Sequence, residues 1–172
     1  EERVAIMDLK KLVAGRRVLD IGCNSGFVAL SIADVAKRVV ALDINPFHVR
    51  IGENVAKYLG TENVQFDALA FEDWDDDIRF GVILSLANHS TYDQQTRHDI
   101  ESYFRKCEVL LEAGGLLVFE SHAPDFEGDK LAYVIEIIRS LFNVNLIRAL
   151  EYGTFLDTGR TLIIAEKRET GE

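Results

Sequence analysis

Two carboxylates flank a glycine turn near the start of the chain. Asp20 lies in the apolar run Val18-Leu19-Asp20-Ile21. Gly22 and Gly26 follow in Gly-x-x-x-Gly spacing around Asn24, and Asp43 ends a second apolar run. Glycines without a Cβ let a ligand approach the backbone, and a helix beginning near Ser25 offers free N–H groups in its first turn. An acid about twenty residues beyond such a turn is placed to accept hydrogen bonds from a ribose diol. The spacing departs from the Gly-x-Gly-x-x-Gly of dinucleotide sites, where a pyrophosphate meets the helix N-terminus. An acid directly before the turn suits a ligand that carries cationic groups better than one that carries phosphates. A nicotinamide-dependent oxidoreductase is thereby disfavoured.

A second set of polar residues follows two later apolar runs: Ser85-Leu86-Ala87-Asn88-His89-Ser90-Thr91-Tyr92 and Glu120-Ser121-His122. Both carry an imidazole, the side chain best matched to proton transfer near neutral pH. His89 or His122 is the candidate base or orienting group, with Asn88, Tyr92 and Glu120 as polar wall. Each histidine could equally cap its loop by hydrogen bonding. His89, Glu120 and His122 could also converge on a metal, but three residues on two loops lack the close ligand spacing of metal sites, and no metal is expected. His48 and His98 are expected on exposed helix faces.

These residues need a scaffold that brings strand ends together. Arg17 to Ile21, Val39 to Asp43, Asn63 to Phe66, Gly81 to Leu86 and Leu116 to Glu120 read as buried strands, with helical periods between most of them. One helix is predicted from Asn45 as N-cap and Pro46 to Gly60, with Ile51, Val55, Tyr58 and Leu59 on one face. Two more carry core stripes, Ile100 to Leu111 and Leu131 to Phe142. Strands alternating with helices imply a parallel sheet with right-handed crossovers, covered on both faces. Val144 to Leu150 and Thr161 to Glu166 are joined by a connection too short for a crossover helix, so they should pair antiparallel. In such a sheet, ligands lie beyond the carboxyl ends of the strands where the strand order reverses.

Through Val18 to Leu30, Val40 to Pro46 and Leu110 to Glu120, the sequence resembles the class I S-adenosylmethionine-dependent methyltransferases over nearly its whole length. The resemblance implies a three-layer αβα sandwich with a seven-stranded sheet of order 3-2-1-4-5-7-6, strand seven antiparallel. By the same resemblance Asp20, Gly22, Asn24 and Gly26 would surround the methionine part of the cofactor, with Ser85 nearby. Asp43 would hold the ribose, and Ile44 would face the adenine. Many relatives carry an acid after strand three that accepts from the adenine amino group, but here Ala70 falls at that place. Phe71 would offer a backbone N–H instead, and Glu72 an acceptor, unless Glu72 to Asp77 is simply a solvated acidic turn. The implied reaction is transfer of a methyl group from S-adenosylmethionine to an acceptor, preferably an oxygen, leaving S-adenosylhomocysteine. The alternative is a catalytically silent cofactor-binding module that acts as scaffold or activator of a partner.

Composition bounds the rest. At 172 residues, 48% hydrophobic and 28% charged, the chain fits a single globular domain spanning residues 1–172, whether whole or excised from a longer protein. A net charge of −10 argues against nonspecific nucleic-acid binding. No apolar run is long enough for a bilayer crossing and no leader precedes Arg3, so a cytoplasmic protein is expected. Cys23 and Cys107 are too few for a disulfide framework and read as reduced thiols. A pocket with so little N-terminal lid would suit a large acceptor, a disordered lid or a neighbouring domain, and a homo-oligomeric state is left open. The loops after strands four and five resemble those of methyltransferase domains for glycans and for RNA or phosphate caps. They lack both the Asn/Asp-Pro-Pro-Tyr of amino-group methylation and the lysines of a ribose-methylating Lys-Asp-Lys-Glu set.

Overall fold

The structure is a computed structural model and describes residues 2–88, 97–122, 128–152 and 159–169. Among them are strands β1 (Arg17–Ile21), β2 (Arg38–Asp43), β3 (Val64–Ala68), β4 (Phe80–Leu86), β5 (Leu111–Glu120), β6 (Phe142–Leu150) and β7 (Arg160–Lys167). The helices are α1 (Glu2–Ile6), α2 (Leu9–Val13), α3 (Phe27–Ile32), α4 (Pro46–Leu59), α5 (Ile100–Leu110) and α6 (Gly128–Leu141). The strands form one sheet of order β3-β2-β1-β4-β5-β7-β6. All neighbours are parallel except those of β7, which runs antiparallel to both β5 and β6. The predicted order and the terminal hairpin are both present.

Successive side chains of a strand point to opposite faces, so the sheet has two cores. On one, Leu19, Ile21, Ile83 and Phe119 share a cluster with Phe104 and Cys107 of α5 and Ile138 of α6. On the other, Val18, Val82, Val118 and Leu162 share a cluster with Val4, Leu9, Ile32 and Ala56 of α1 to α4. This is the αβα sandwich. The alternation also assigns the polar residues: Asp20 and Glu120 fall on the α1–α4 face, and Ser85 falls on the α5–α6 face.

Three details differ from the periodicity. β5 begins at Leu111, not Leu116, and its pairing with β4 shifts register between Phe80 and Val82. Gly114, at φ 68°, lets the strand bulge there without breaking. The β3–β4 crossover contains a single 3-10 turn, Phe71–Asp73, instead of an α-helix. Phe71 and Trp74 cover the sheet in its place.

The third difference is in α4. Its ends are as predicted: the Asn45 side chain accepts from the Phe47 N–H at 3.0 Å, and Gly60 closes the helix at φ 67°. Its inward residues, however, are Val49, Gly52 and Ala56, whereas Ile51, Val55, Tyr58 and Leu59 are exposed. The cause is Phe66 of β3. A Cβ on Gly52 would lie 2.5 Å from the Phe66 ring, and one on Gly26 would lie 2.5 Å from the same ring. The ring is gripped between the glycine turn and α4, so no side chain fits at position 52 on the inner side of the helix.

Gly52→Ala should therefore cost about 1–3 kcal/mol of stability through overpacking, measured by urea unfolding. Phe66→Leu added to it should recover part of the loss. Strictly additive losses would show that the ring is not the obstacle.

Candidate functional site

The parallel register of β1 with β2 pairs Ile21 with Leu42 and so sets the glycine turn beside Asp43. The Cys23 N–H donates to the Leu42 carbonyl at 2.8 Å. Asn24, at φ 51°, donates its backbone N–H to Asp43 Oδ2 at 2.8 Å, and the Asn45 N–H donates to Oδ1 at 2.9 Å. Each Asp43 oxygen keeps a second lone pair for a further donor. The side chain is 12% exposed, and His48 Nδ1 stands 3.8 Å from Oδ1. His48 lies on α4 with its side chain 37% exposed, at the rim of this carboxylate. Ile44 follows, 40% exposed.

Asp20 is buried, on the face covered by α1 to α4. The carboxylate accepts the Ala29 N–H from the first turn of α3, and its Oδ2 has no hydrogen-bond partner. Burial raises its pKa to about 7, with the Arg3 cation opposing the shift and Asp43 adding to it. The neighbouring Cys23 thiol is pushed up by burial and then by Asp20 and Asp43, which makes it a poor nucleophile.

Arg3 was not anticipated. Its guanidinium reaches from α1 to Glu120 at the end of β5, where Nη2 donates to Oε2. Glu120 is fully buried: the Tyr152 hydroxyl donates to Oε1 at 2.6 Å and Arg160 Nη1 donates to the same atom at 3.2 Å. The Arg160 guanidinium lies 5.6 Å from the centre of the Tyr152 ring. Burial alone would lower the Arg3 pKa, but the Glu120 carboxylate together with Tyr152 more than offsets it and the net shift is upward. Arg3 Nε is buried without a hydrogen-bond partner. An arginine beside a predicted sheet-end acid, but far from it in sequence, carries no local motif that could have revealed it.

Several predicted site residues have other contacts. The space a Gly22 Cβ would take holds the Asn88 side chain, 2.6 Å away, and that of Gly26 holds Phe66. Both glycines thus make room for protein. Asn88 Nδ2 donates to the Ile21 carbonyl, and its Oδ1 accepts from the Ser85 hydroxyl at 2.8 Å. Ser85 is buried on the opposite face from Asp20 and shares a 2.8 Å hydrogen bond with the Tyr103 hydroxyl. It is a strut from β4 to α5. The Phe71 ring is likewise buried, edge-on to Tyr103 at 5.1 Å. Glu72 Oε1 accepts from the N–H groups of Arg97 at 2.9 Å and His98 at 3.4 Å, so this acid holds the entry to α5. Burial would raise its pKa, but those N–H donors outweigh it and the pKa falls. Asp73 and Asp75 to Asp77 are exposed, as a solvated turn requires. His98 precedes α5 and has a buried Nδ1, in place of the exposed helix position expected. His122 is half-buried just past β5. His89 and Tyr92 lie outside the described residues.

A sheet of this order, with one acid near the end of β1 and another at the end of β2, defines a Rossmann-like domain for a nucleoside cofactor. Residues 12–154 match the family model described as a methyltransferase domain, and the chain belongs to that family, whose cofactor is S-adenosylmethionine. It is 25% identical over 142 residues to the ubiquinone biosynthesis O-methyltransferase of Albidiferax ferrireducens, covering 78% of this chain and 51% of that protein. It is 24% identical over 163 residues to the enzyme of the same name from Chromobacterium violaceum, covering 90% and 64%. The chain thus spans between half and two thirds of the length of these two relatives. The N-methyltransferase NodS from Bradyrhizobium japonicum has the same fold, with a TM-score of 0.80 at 19% identity over 98% of this chain and 97% of that one. No helix among the described residues is long and apolar enough to cross a membrane.

The folded pKa of Asp20, about 7, lies above its unfolded value, which is about 3.9. The folded state therefore keeps a proton that the unfolded state releases. The Asp20 contribution to stability is fully present below about pH 4 and is lost as pH rises towards about 7, by up to about 4 kcal/mol. Asp20→Asn is neutral and nearly isosteric, and it should flatten this dependence in urea unfolding at pH 5 and pH 8. An identical slope in both proteins would show that Asp20 is not the buried acid responsible.

Proposed function

We propose that this domain catalyses methyl transfer from S-adenosylmethionine to an oxygen of its acceptor. The observation that carries the reading is the free Asp20 Oδ2, buried beside the glycine turn and within the field of Arg3. A cation at that oxygen would supply the missing partner, and the amino-acid end of the cofactor carries an ammonium to do so. Arg3, whose Nε is free, would take the carboxylate of the same end, and Asp43 the ribose hydroxyls. His48 and Ile44 would border the nucleoside. When bound, the cofactor supplies an electrophilic methyl group on a sulfonium.

The protein's own contribution is alignment, with proton removal where the acceptor is a hydroxyl. Asn88, pinned to Ile21 and Ser85, would form the fixed wall between cofactor and acceptor. His122, at the end of β5, would serve as base or orienting group, a role shared with or held by His89. Glu120 would act through Arg3, Tyr152 and Arg160 as a positioning residue, because its own oxygens are taken up by them. The O-methyltransferase names of the relatives favour oxygen as the acceptor atom.

Calorimetric titration tests the cofactor half. Asp43→Ala should weaken S-adenosylhomocysteine binding by about 1.5–3 kcal/mol, the value of a hydrogen bond to a charged group. Arg3→Met should weaken S-adenosylhomocysteine more than 5′-methylthioadenosine, which lacks the amino-acid end. Equal losses for the two ligands would remove Arg3 from the site. His122→Ala should spare binding and lower turnover on a hydroxyl acceptor. Tight cofactor binding with no turnover on any acceptor would favour the silent module.

A further inference from the structure

The outer face of α4 is an apolar stripe with no covering element among the described residues. Phe47 is 75% exposed, Ile51 48%, Val55 37%, Tyr58 89% and Leu59 60%. Their spacing keeps them on one side of the helix, one turn above another. We propose that this stripe is the interface through which two copies of the chain pair, α4 against α4 and antiparallel.

Three observations select a second copy as the occupant. The first is symmetry. A two-fold interface must be complementary to itself. Phe47 and Leu59 lie equally far on either side of residue 53, and so do Ile51 and Val55. Rotation about an axis at that level therefore lays Phe47 against Leu59 of the other copy, with Tyr58 beside it, and Ile51 against Val55. The antiparallel arrangement also sets opposite ends of the two helix dipoles together.

The second is area. Aromatic side chains bury roughly 150–250 Å² each, so these two aromatics and three aliphatics offer on the order of 500 Å² per copy. Two copies together reach roughly 1,000 Å², the lower bound for a specific interface and the size of a weak, reversible one. The third is charge. The chain as a whole carries −10, which opposes both self-association and adsorption to anionic membranes. The charged residues of α4 are Arg50, Glu53 and Lys57, a net excess of one positive charge. Pairing along this helix therefore adds no net acidic surface to that repulsion.

Sedimentation velocity of the purified chain, from low micromolar to submillimolar concentration, tests the proposal. The mass should move from 19.4 kDa to twice that value. Ile51→Glu and Tyr58→Glu should each raise the dissociation constant roughly thirty-fold or more, as loss of an interface hot spot does. Both positions are exposed, so thermal midpoints measured at concentrations where the unmodified chain is monomeric should not change, which separates lost pairing from lost folding. Cys23 and Cys107 are buried, so mild oxidation of Ile51→Cys/Val55→Cys should cross-link copies only through the new thiols. A monomer at every concentration would overturn the pairing. So would a dimer indifferent to both glutamates, or a monomer that instead binds zwitterionic vesicles through the stripe.

Discussion

A carboxylate buried with one oxygen unsatisfied is the constraint around which this domain is arranged. Asp20 cannot be moved outward, because β1 is central in the sheet and its even-numbered side chains enter the core shared with α1 to α4. Nor is it neutralised by a direct ion pair. It takes one N–H from the start of α3 and feels Arg3 at longer range, an arrangement that leaves it poised near neutrality. A group held so is costly to a fold and useful to a site, since a cationic ligand supplies what the protein withholds.

The Arg3 side chain explains how a short N-terminal helix is kept in place. α1 is five residues long, too short to be stable alone. Its anchor is the pair with Glu120, itself held by Tyr152 and Arg160, so residues from four separate segments converge above the β5 end. Removing one partner from a buried ion pair leaves the other uncompensated, which makes such a cluster cooperative. On the opposite face, Ser85, Asn88 and Tyr103 form a second cluster that ties β4 to α5 and, through the Ile21 carbonyl, to β1. The cofactor end of the sheet is thus bounded by one charged clamp and one neutral clamp. Each is centred on a buried residue, Glu120 in one and Ser85 in the other, and each fixes a loop that the chemistry would use.

The sheet was legible because its strands are continuous apolar runs and its helices have caps. β1 is the run Arg17 to Ile21, and Asn45, Pro46 and Gly60 bound α4. Asp43 was legible for the same reason, being the last polar residue of such a run. What local patterns cannot show is which residue occupies the space next to a glycine or which distant side chain meets an acid. Gly22 and Gly26 look like room for a ligand, yet Asn88 and Phe66 fill that room. Ser85 looks like a strand-end donor, but the parity of β4 turns it to the far face. Arg3 and Arg160 reach Glu120 across more than a hundred residues and across the β5–β7 pairing respectively, distances at which single-sequence reasoning has no signal.

Phe66 links the glycine turn to α4. Its ring fills the gap between the glycine turn and α4, which fixes the turn from behind while Asp43 holds it from the side. The same ring leaves no room for a side chain at Gly52, and α4 turns only Val49, Gly52 and Ala56 inward while its larger apolar residues face outward. Binary patterning would normally place Ile51, Val55, Tyr58 and Leu59 against the sheet. Here the order is inverted, and an apolar surface is left outside as the geometric counterpart of a rigid turn inside. A helix that kept such an inverted face only for local packing could carry polar residues at the outward positions at no structural cost. That it carries aromatic and branched aliphatic residues there, symmetric about Glu53, is what an interface requires and what a solvated face does not.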